Sequence, residues 1–143
     1  MDISIVNKTK IDIDQKKVQI VVELFLNSHD LNEYSVSVVF VGNAKMRSIN
    51  LEYRGIDKTT DVLSFTENDD FPDLEKDKFL GEIFISYSQV KKQARRLEKG
   101  IEDELTFILV HGLLHLLGYD DETEKDRLNM IQLGEEFIEK KLK

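Results

Sequence analysis

Apolar residues recur along the chain with two different periods, and those periods divide it into elements. Ile3 to Asn7 alternates weakly and predicts a short strand. From Ile13 to Leu26, Val18, Val21, Val22 and Phe25 recur at spacings of three and four. That spacing predicts a helix with one buried face, with Asp12 or Asp14 as its N-cap. Ser35 to Val41 is Val-rich and alternating, hence a strand. Asn43 opens a second helix through about Tyr53, with Met46, Ile49 and Asn50 on one side, and Arg54-Gly55-Ile56-Asp57 reads as a loop. Val62 to Phe65 and Glu82 to Ser86 read as further strands. The connection between them is polar and acidic, holds the only Pro, Pro72, and is the best candidate for a mobile loop.

The second half of the chain is helical by the same criterion. Ser88 to Lys99 predicts a basic helix that Gly100 is placed to stop. In Ile101 to Leu117, the residues Phe107, Ile108, Val110, Leu113, Leu114 and Leu117 surround most of the circumference, so this helix should be largely buried. Gly118 ends it in a left-handed turn, and an amphipathic helix follows from about Thr123 to Lys141. There is no internal repeat, low-complexity tract or linker. The order β-α-β-α-β-β-α-α-α predicts a single α+β domain over 1–143, with a mixed sheet of about four strands packed by helices.

At 143 residues the chain is long enough to bury roughly 68–70% of its unfolded surface, so it needs neither a disulfide nor a structural metal to fold. It contains no Cys, which fits a reducing compartment. The first residues, Met-Asp-Ile-Ser-Ile-Val-Asn, have no basic stretch and no long apolar run, and the longest apolar stretches, such as Phe107 to Val110, are too short to span a bilayer. A cytoplasmic protein without membrane partners is therefore expected. The net charge of −8 argues, taken alone, against a nucleic-acid partner. The average hides two opposed segments. Residues Glu67, Asp69, Asp70, Asp73, Glu75 and Asp77 face only Lys76 and Lys78, whereas Lys91, Lys92, Arg95, Arg96 and Lys99 face only Glu98.

The candidate chemistry lies in His111-Gly-Leu-Leu-His115-Leu-Leu-Gly-Tyr-Asp-Asp121. Two His four apart on a helix stand one turn apart and can point nitrogens at one ion. The break at Gly118 lets Asp120 or Asp121 swing toward the same ion. Three protein ligands with one open position make the catalytic pattern, whereas a closed structural site uses four. The alternative is a pair of core histidines bonded to backbone or carboxylates. The helix resembles the metalloprotease H-E-x-x-H helix, but the position of its general-base Glu is Gly112, so a peptidase mechanism is not expected. Gly112 is expected to admit a close approach of another backbone.

His111-Gly-Leu-Leu-His115-Leu-Leu-Gly118-Tyr119-Asp120 resembles the signature of the YbeY family of bacterial endoribonucleases. A second block, Tyr53-Arg54-Gly55-Ile56-Asp57-Lys58-Thr59-Thr60-Asp61-Val62-Leu63-Ser64-Phe65, resembles the family's other hallmark, and Leu80 to Ser86 is a weaker third match. The family's signature ends Gly-Tyr-Asp-His and its three His bind zinc, whereas this chain ends Gly118-Tyr119-Asp120-Asp121, which makes Asp121 the implied third ligand. An Asp oxygen binds Zn²⁺ at about the distance of a His nitrogen, though two His and one carboxylate also suit Fe(II). A carboxylate should also leave bound water less acidified. The resemblance implies cleavage of single-stranded RNA, maturation of the 3′ end of 16S rRNA, ribosome quality control, and one divalent metal ion, Zn²⁺ by expectation.

On this reading Arg54, with its planar fork, is the expected phosphate-binding catalytic residue. Asp61 and Thr60 are expected to brace the loop carrying Arg54, and Asp120 to orient a ligand His. Lys91, Arg95 and Lys99 form an expected i, i+4 ridge with Arg96 beside it, a candidate RNA contact or simply a solvated face. Two other readings remain open: a ribosome-binding or assembly factor with a structural metal, and a metallohydrolase of another substrate class.

Overall fold

A computed structural model describes residues 2–66 and 78–143. The acidic connection from Glu67 to Asp77, and with it the expectation of a mobile loop there, lies outside the described residues. The strands are β1 (Asp2–Asn7), β2 (Ser35–Val41), β3 (Val62–Thr66) and β4 (Phe79–Ser86). The helices are α1 (Gln15–Ser28), α2 (Asn43–Arg54), α3 (Tyr87–Arg96), α4 (Ile101–Leu116) and α5 (Glu124–Phe137), the last continuing as a π-helical turn over Ile138–Leu142. The strands form one sheet in the order β1-β2-β4-β3, with β1 and β4 parallel to β2 and β3 antiparallel to β4. The fold is the expected α+β arrangement with a four-stranded mixed sheet.

The alternation in β2 sends its side chains to two cores. Val36, Val38 and Phe40 join Val18, Val22, Phe25 and Leu26 of α1, Ile83 and Ile85 of β4, and Leu109 and Leu113 of α4 in the larger cluster. Val39 and Val41 join Met46 and Ile49 of α2 and Leu63 of β3 in a smaller one, with Phe65 and Phe84 packed against it. This division follows from the period of two along a strand. Helix α4 is buried around most of its surface, from Leu105 through Leu116. Truncation of a side chain such as Leu109 to Ala therefore costs about 2–5 kcal/mol.

Helix α1 is capped by Asp14, one of the two expected N-caps, whose carboxylate accepts the Lys17 N–H at 3.1 Å. Two other helix ends differ from expectation. Arg54 closes α2 rather than opening a loop, and Gly55 takes the left-handed conformation after it. Helix α3 ends at Arg96, before Gly100. The positive φ falls on Glu98 (53°), and Gly100 is the extended N-cap of α4. A three-residue connection, Leu97 to Lys99, thus replaces the last helical turn. Gly118 behaves as predicted, with φ 101°: its N–H donates to the His115 carbonyl at 3.0 Å and the Tyr119 N–H reaches the Leu114 carbonyl at 3.3 Å. Those two bonds make a Schellman motif.

Candidate metal centre

The end of α4 and the turn behind it build the site. His111 and His115 lie on one face of the helix, their Nε2 atoms 3.2 Å apart. The Schellman turn reverses the chain and brings the Asp121 Oδ2 to 3.6 Å from His111 Nε2 and 3.7 Å from His115 Nε2. Donors bound to one tetrahedral Zn²⁺ at its usual distances stand roughly 3.3–3.5 Å apart. The observed triangle is within a few tenths of an ångström of that spacing, so the donor set fits a divalent ion. Asp121 is the more exposed corner and the two imidazoles the more buried ones.

The turn also sets the state of one candidate ligand. The His115 Nδ1–H donates to the Tyr119 carbonyl at 3.0 Å, which leaves Nε2 with its lone pair facing the triangle. This backbone carbonyl takes the orienting role expected of Asp120. Asp120 instead accepts the Glu122 N–H at 3.3 Å and faces solvent. The His111 pKa is pushed below its ordinary value of 6.5, first by burial and then by His115, with Asp121 pulling the other way. Burial therefore favours neutral imidazole, the form that binds metal.

Gly112 has a tighter packing reason than expected. A Cβ there would lie 3.1 Å from Ile83 Cγ2, 3.2 Å from Val62 Cγ2 and 3.3 Å from Ser64 Oγ. Side chains of β3 and β4, not another backbone, occupy the space, and the Ser64 hydroxyl donates to the Gly112 carbonyl at 3.0 Å. This contact ties the metal helix to β3.

Strand β3 in turn ties the site to Arg54. The Arg54 Nη2 donates to the Ser64 carbonyl at 3.0 Å, and its guanidinium lies over the Phe65 ring, 5.4 Å from the centroid. Arg54, Tyr53 and residues Val62 to Thr66 line a cleft of about 670 Å³ that His115 and Asp121 also line. A second cleft, of about 360 Å³, reaches the same triangle past Thr60, Asp61, Gln93 and Glu104. Asp61 accepts the Val62 N–H at 2.8 Å, the Thr60 hydroxyl at 3.2 Å and the Gln93 amide at 3.1 Å, while its carbonyl accepts the Ser86 N–H at 2.9 Å. The start of β3 is thereby fixed to α3 and to the end of β4.

The basic ridge is shorter than its spacing implies. Lys91, Arg95 and Arg96 are exposed on α3 and line neither cleft. Lys99 lies beyond the helix, so no i, i+4 step from Arg95 exists. Its Nζ donates to Glu104 at 3.0 Å, a carboxylate only 3% exposed, and sits 4.7 Å from the Phe107 ring centroid. Phe107 stacks toward His111 at 6.3 Å between centroids. Lys99 therefore pairs with a buried acid in the first turn of α4. Sequence reasoning passed over Ser64, Phe65 and Tyr53 as site residues. Their position in the block that begins at Tyr53 was the available signal.

A mixed-sheet α+β domain carrying a His–His–Asp triangle on one helix end, open to a cleft with an arginine, defines a candidate metallohydrolase class. The particular family is shown by comparison. Residues 3–142 match the family model described as Endoribonuclease YbeY, and the chain belongs to that family. It is 49% identical over 108 residues to the protein named Endoribonuclease YbeY of Acholeplasma laidlawii, covering 76% of this chain and 75% of that one. It is 36% identical over 140 residues to the protein of the same name from Phytoplasma australiense, covering 98% and 95%. The solution structure of TM1509 from Thermotoga maritima superposes with a TM-score of 0.64 at 28% identity, covering 96% of this chain and 87% of that one. Among the described residues, no helix is long and apolar enough to cross a membrane.

Proposed function

We propose that this chain, as one domain over 1–143, is a cytoplasmic, metal-dependent endoribonuclease specific for single strands. Its substrate is rRNA, and it works with the ribosome in maturing the 3′ end of 16S rRNA and in ribosome quality control. The observation that carries the reading is the cluster of His111, His115 and Asp121, whose ligand atoms lie within 4.8 Å of one another, with His115 and Asp121 lining the cleft that Arg54 also lines. The family's descriptive name supports RNA as substrate.

His111, His115 and Asp121 would hold one divalent ion, Zn²⁺ by preference. Such an ion supplies Lewis acidity toward a phosphate oxygen and acidifies bound water. The His115 Nδ1–H on the Tyr119 carbonyl keeps that ring in the ligating tautomer. Arg54 spends one Nη2–H on Ser64 and lies against Phe65, which fixes the guanidinium plane. Its remaining N–H groups face the phosphate of a strand lying in the cleft, and a planar fork holds two anionic oxygens at once. Asp61 and Thr60 keep the first residue of β3 in place, so that Ser64 meets both Arg54 and Gly112.

Metal analysis and RNA cleavage, measured on the same samples of wild type and Asp121→Ala, test the reading. The variant is expected to lose both metal and cleavage. Full cleavage by a metal-free variant would sink it. A structural metal is separated from a catalytic one by chelation: the fold is expected to survive EDTA while cleavage disappears, because the core is built without the site.

A further inference from the structure

Tyr53 is, among the described residues, the most exposed large apolar side chain, at 63%. Folding alone gives no reason to leave this ring in water beside a cleft. Its position is nevertheless braced. The ring stands at 64° to Phe65 with centroids 5.4 Å apart, and Phe65 meets Phe84 at 79° and 5.9 Å, against the smaller core. The Arg54 guanidinium rests over the same Phe65 ring, 5.4 Å from its centroid. One buried-side aromatic thus supports both an exposed ring and a fixed cation, and both line the cleft that holds His115 and Asp121. A perpendicular contact engages at most one face of the Tyr53 ring, which leaves another face for stacking.

A cation for the backbone beside an open aromatic face is the combination that binds unpaired nucleic acid. We propose that Tyr53 stacks on an unpaired base of the RNA strand whose phosphate Arg54 holds, and that this contact selects single strands. The proposal rests on the RNA-cleaving reading above and adds the source of its strand preference. In a duplex both faces of each base are covered by neighbours, so Tyr53 has nothing to stack on. A single strand can turn one base onto the ring and keep its phosphate on Arg54.

The test uses metal-free protein, so that binding is read without cleavage, and a short unpaired oligoribonucleotide carrying a fluorescent purine analogue. Wild type is expected to bind it and quench the analogue. Tyr53→Ala should weaken binding about tenfold and abolish the quenching. Tyr53→Phe should retain both, and Tyr53→Leu, which keeps the bulk but not the aromatic face, should behave as Tyr53→Ala. The same strand annealed to its complement should bind wild type and Tyr53→Ala equally weakly. Unchanged binding and quenching in Tyr53→Ala would overturn the proposal, as would a Tyr53→Phe that fails like alanine. A Tyr53→Ala effect of equal size on the duplex would overturn it too. If wild type cleaves single strands normally while Tyr53→Ala binds like wild type, the stacking assignment alone is lost. If wild type neither binds nor cleaves RNA, the parent reading goes with it.

Discussion

Arg54 and Arg95 are both arginines on helices with access to solvent, yet their surroundings differ in kind. Arg54 donates to the Ser64 carbonyl, lies over Phe65 and lines the cleft at the metal triangle. Arg95 stands in the last turn of α3, exposed and away from both clefts. Lys99, two turns of sequence from Lys91, is different again, because its charge serves the buried Glu104. The basic segment therefore holds cations of two kinds, and neither matches Arg54. The lesson is that density of charge along a sequence locates a basic surface, whereas a fixed guanidinium needs a hydrogen bond and a packed plane around it.

The largest effect expected from this contrast is at Arg54. Arg54→Ala should lower RNA cleavage at least 100-fold, roughly the loss seen when a positioned charge is removed from a transition state. Bound zinc should stay unchanged, because the three ligand atoms do not touch Arg54. Normal cleavage by Arg54→Ala would erase the distinction between the two basic regions. Arg54→Lys should recover little, since an ammonium cannot present a planar fork.

Next in size is Lys99. Lys99→Ala strands the Glu104 carboxylate in the core, and the protein should lose about 1–3 kcal/mol of stability in urea unfolding. The salt dependence of RNA binding should not move. The reverse pattern, intact stability with a flatter salt slope, would return Lys99 to the RNA-facing group. Arg95→Ala with Arg96→Ala gives the complementary, smaller result. If both contact phosphate, the slope of log affinity against log salt should fall by about 1.4, at roughly 0.7 per contact for a single strand. An unchanged slope would assign both to plain solvation of α3.

Most of the fold was legible because its elements are strongly periodic. The alternation in β2 and the three-four spacing in α1 each have one physical solution, and Gly118 ends α4 where expected. What failed was punctuation and partnership. Gly100 in the sequence predicts a stop, but Glu98 takes the left-handed conformation and Gly100 is an N-cap, a shift of a few residues that removes Lys99 from the ridge. Nothing in the local sequence says that Glu104, three residues into the next helix, would be buried and need that lysine. The candidate ligand pair His111 and His115 follows from spacing, and the candidate Asp121 from a family resemblance. That a backbone carbonyl rather than Asp120 would hold His115 depends on the path of the turn, which composition does not encode. Gly112 was expected to ease a close approach; that the approach would come from Ile83, Val62 and Ser64 depends on pairing between distant segments.

The smallest effect concerns a half-buried imidazole rather than an exposed cation. The His111 pKa lies below 6.5 in the folded, metal-free protein, mainly through burial. The unfolded chain therefore binds the proton at higher pH than the folded one does. Well above pH 6.5 both states hold neutral His111 and the group contributes nothing to pH dependence. As pH falls through the unfolded value toward the folded one, the unfolded state gains protons first, and stability declines until the folded group also titrates. Metal-free wild type should thus lose stability between about pH 7 and pH 5 in excess of His111→Gln, whose side chain does not titrate. The difference should be modest, because the nearby Asp121 carboxylate offsets part of the burial effect. Parallel urea unfolding of the two proteins across that range measures it. A His111→Gln variant with the same pH profile as wild type would overturn the lowered His111 pKa.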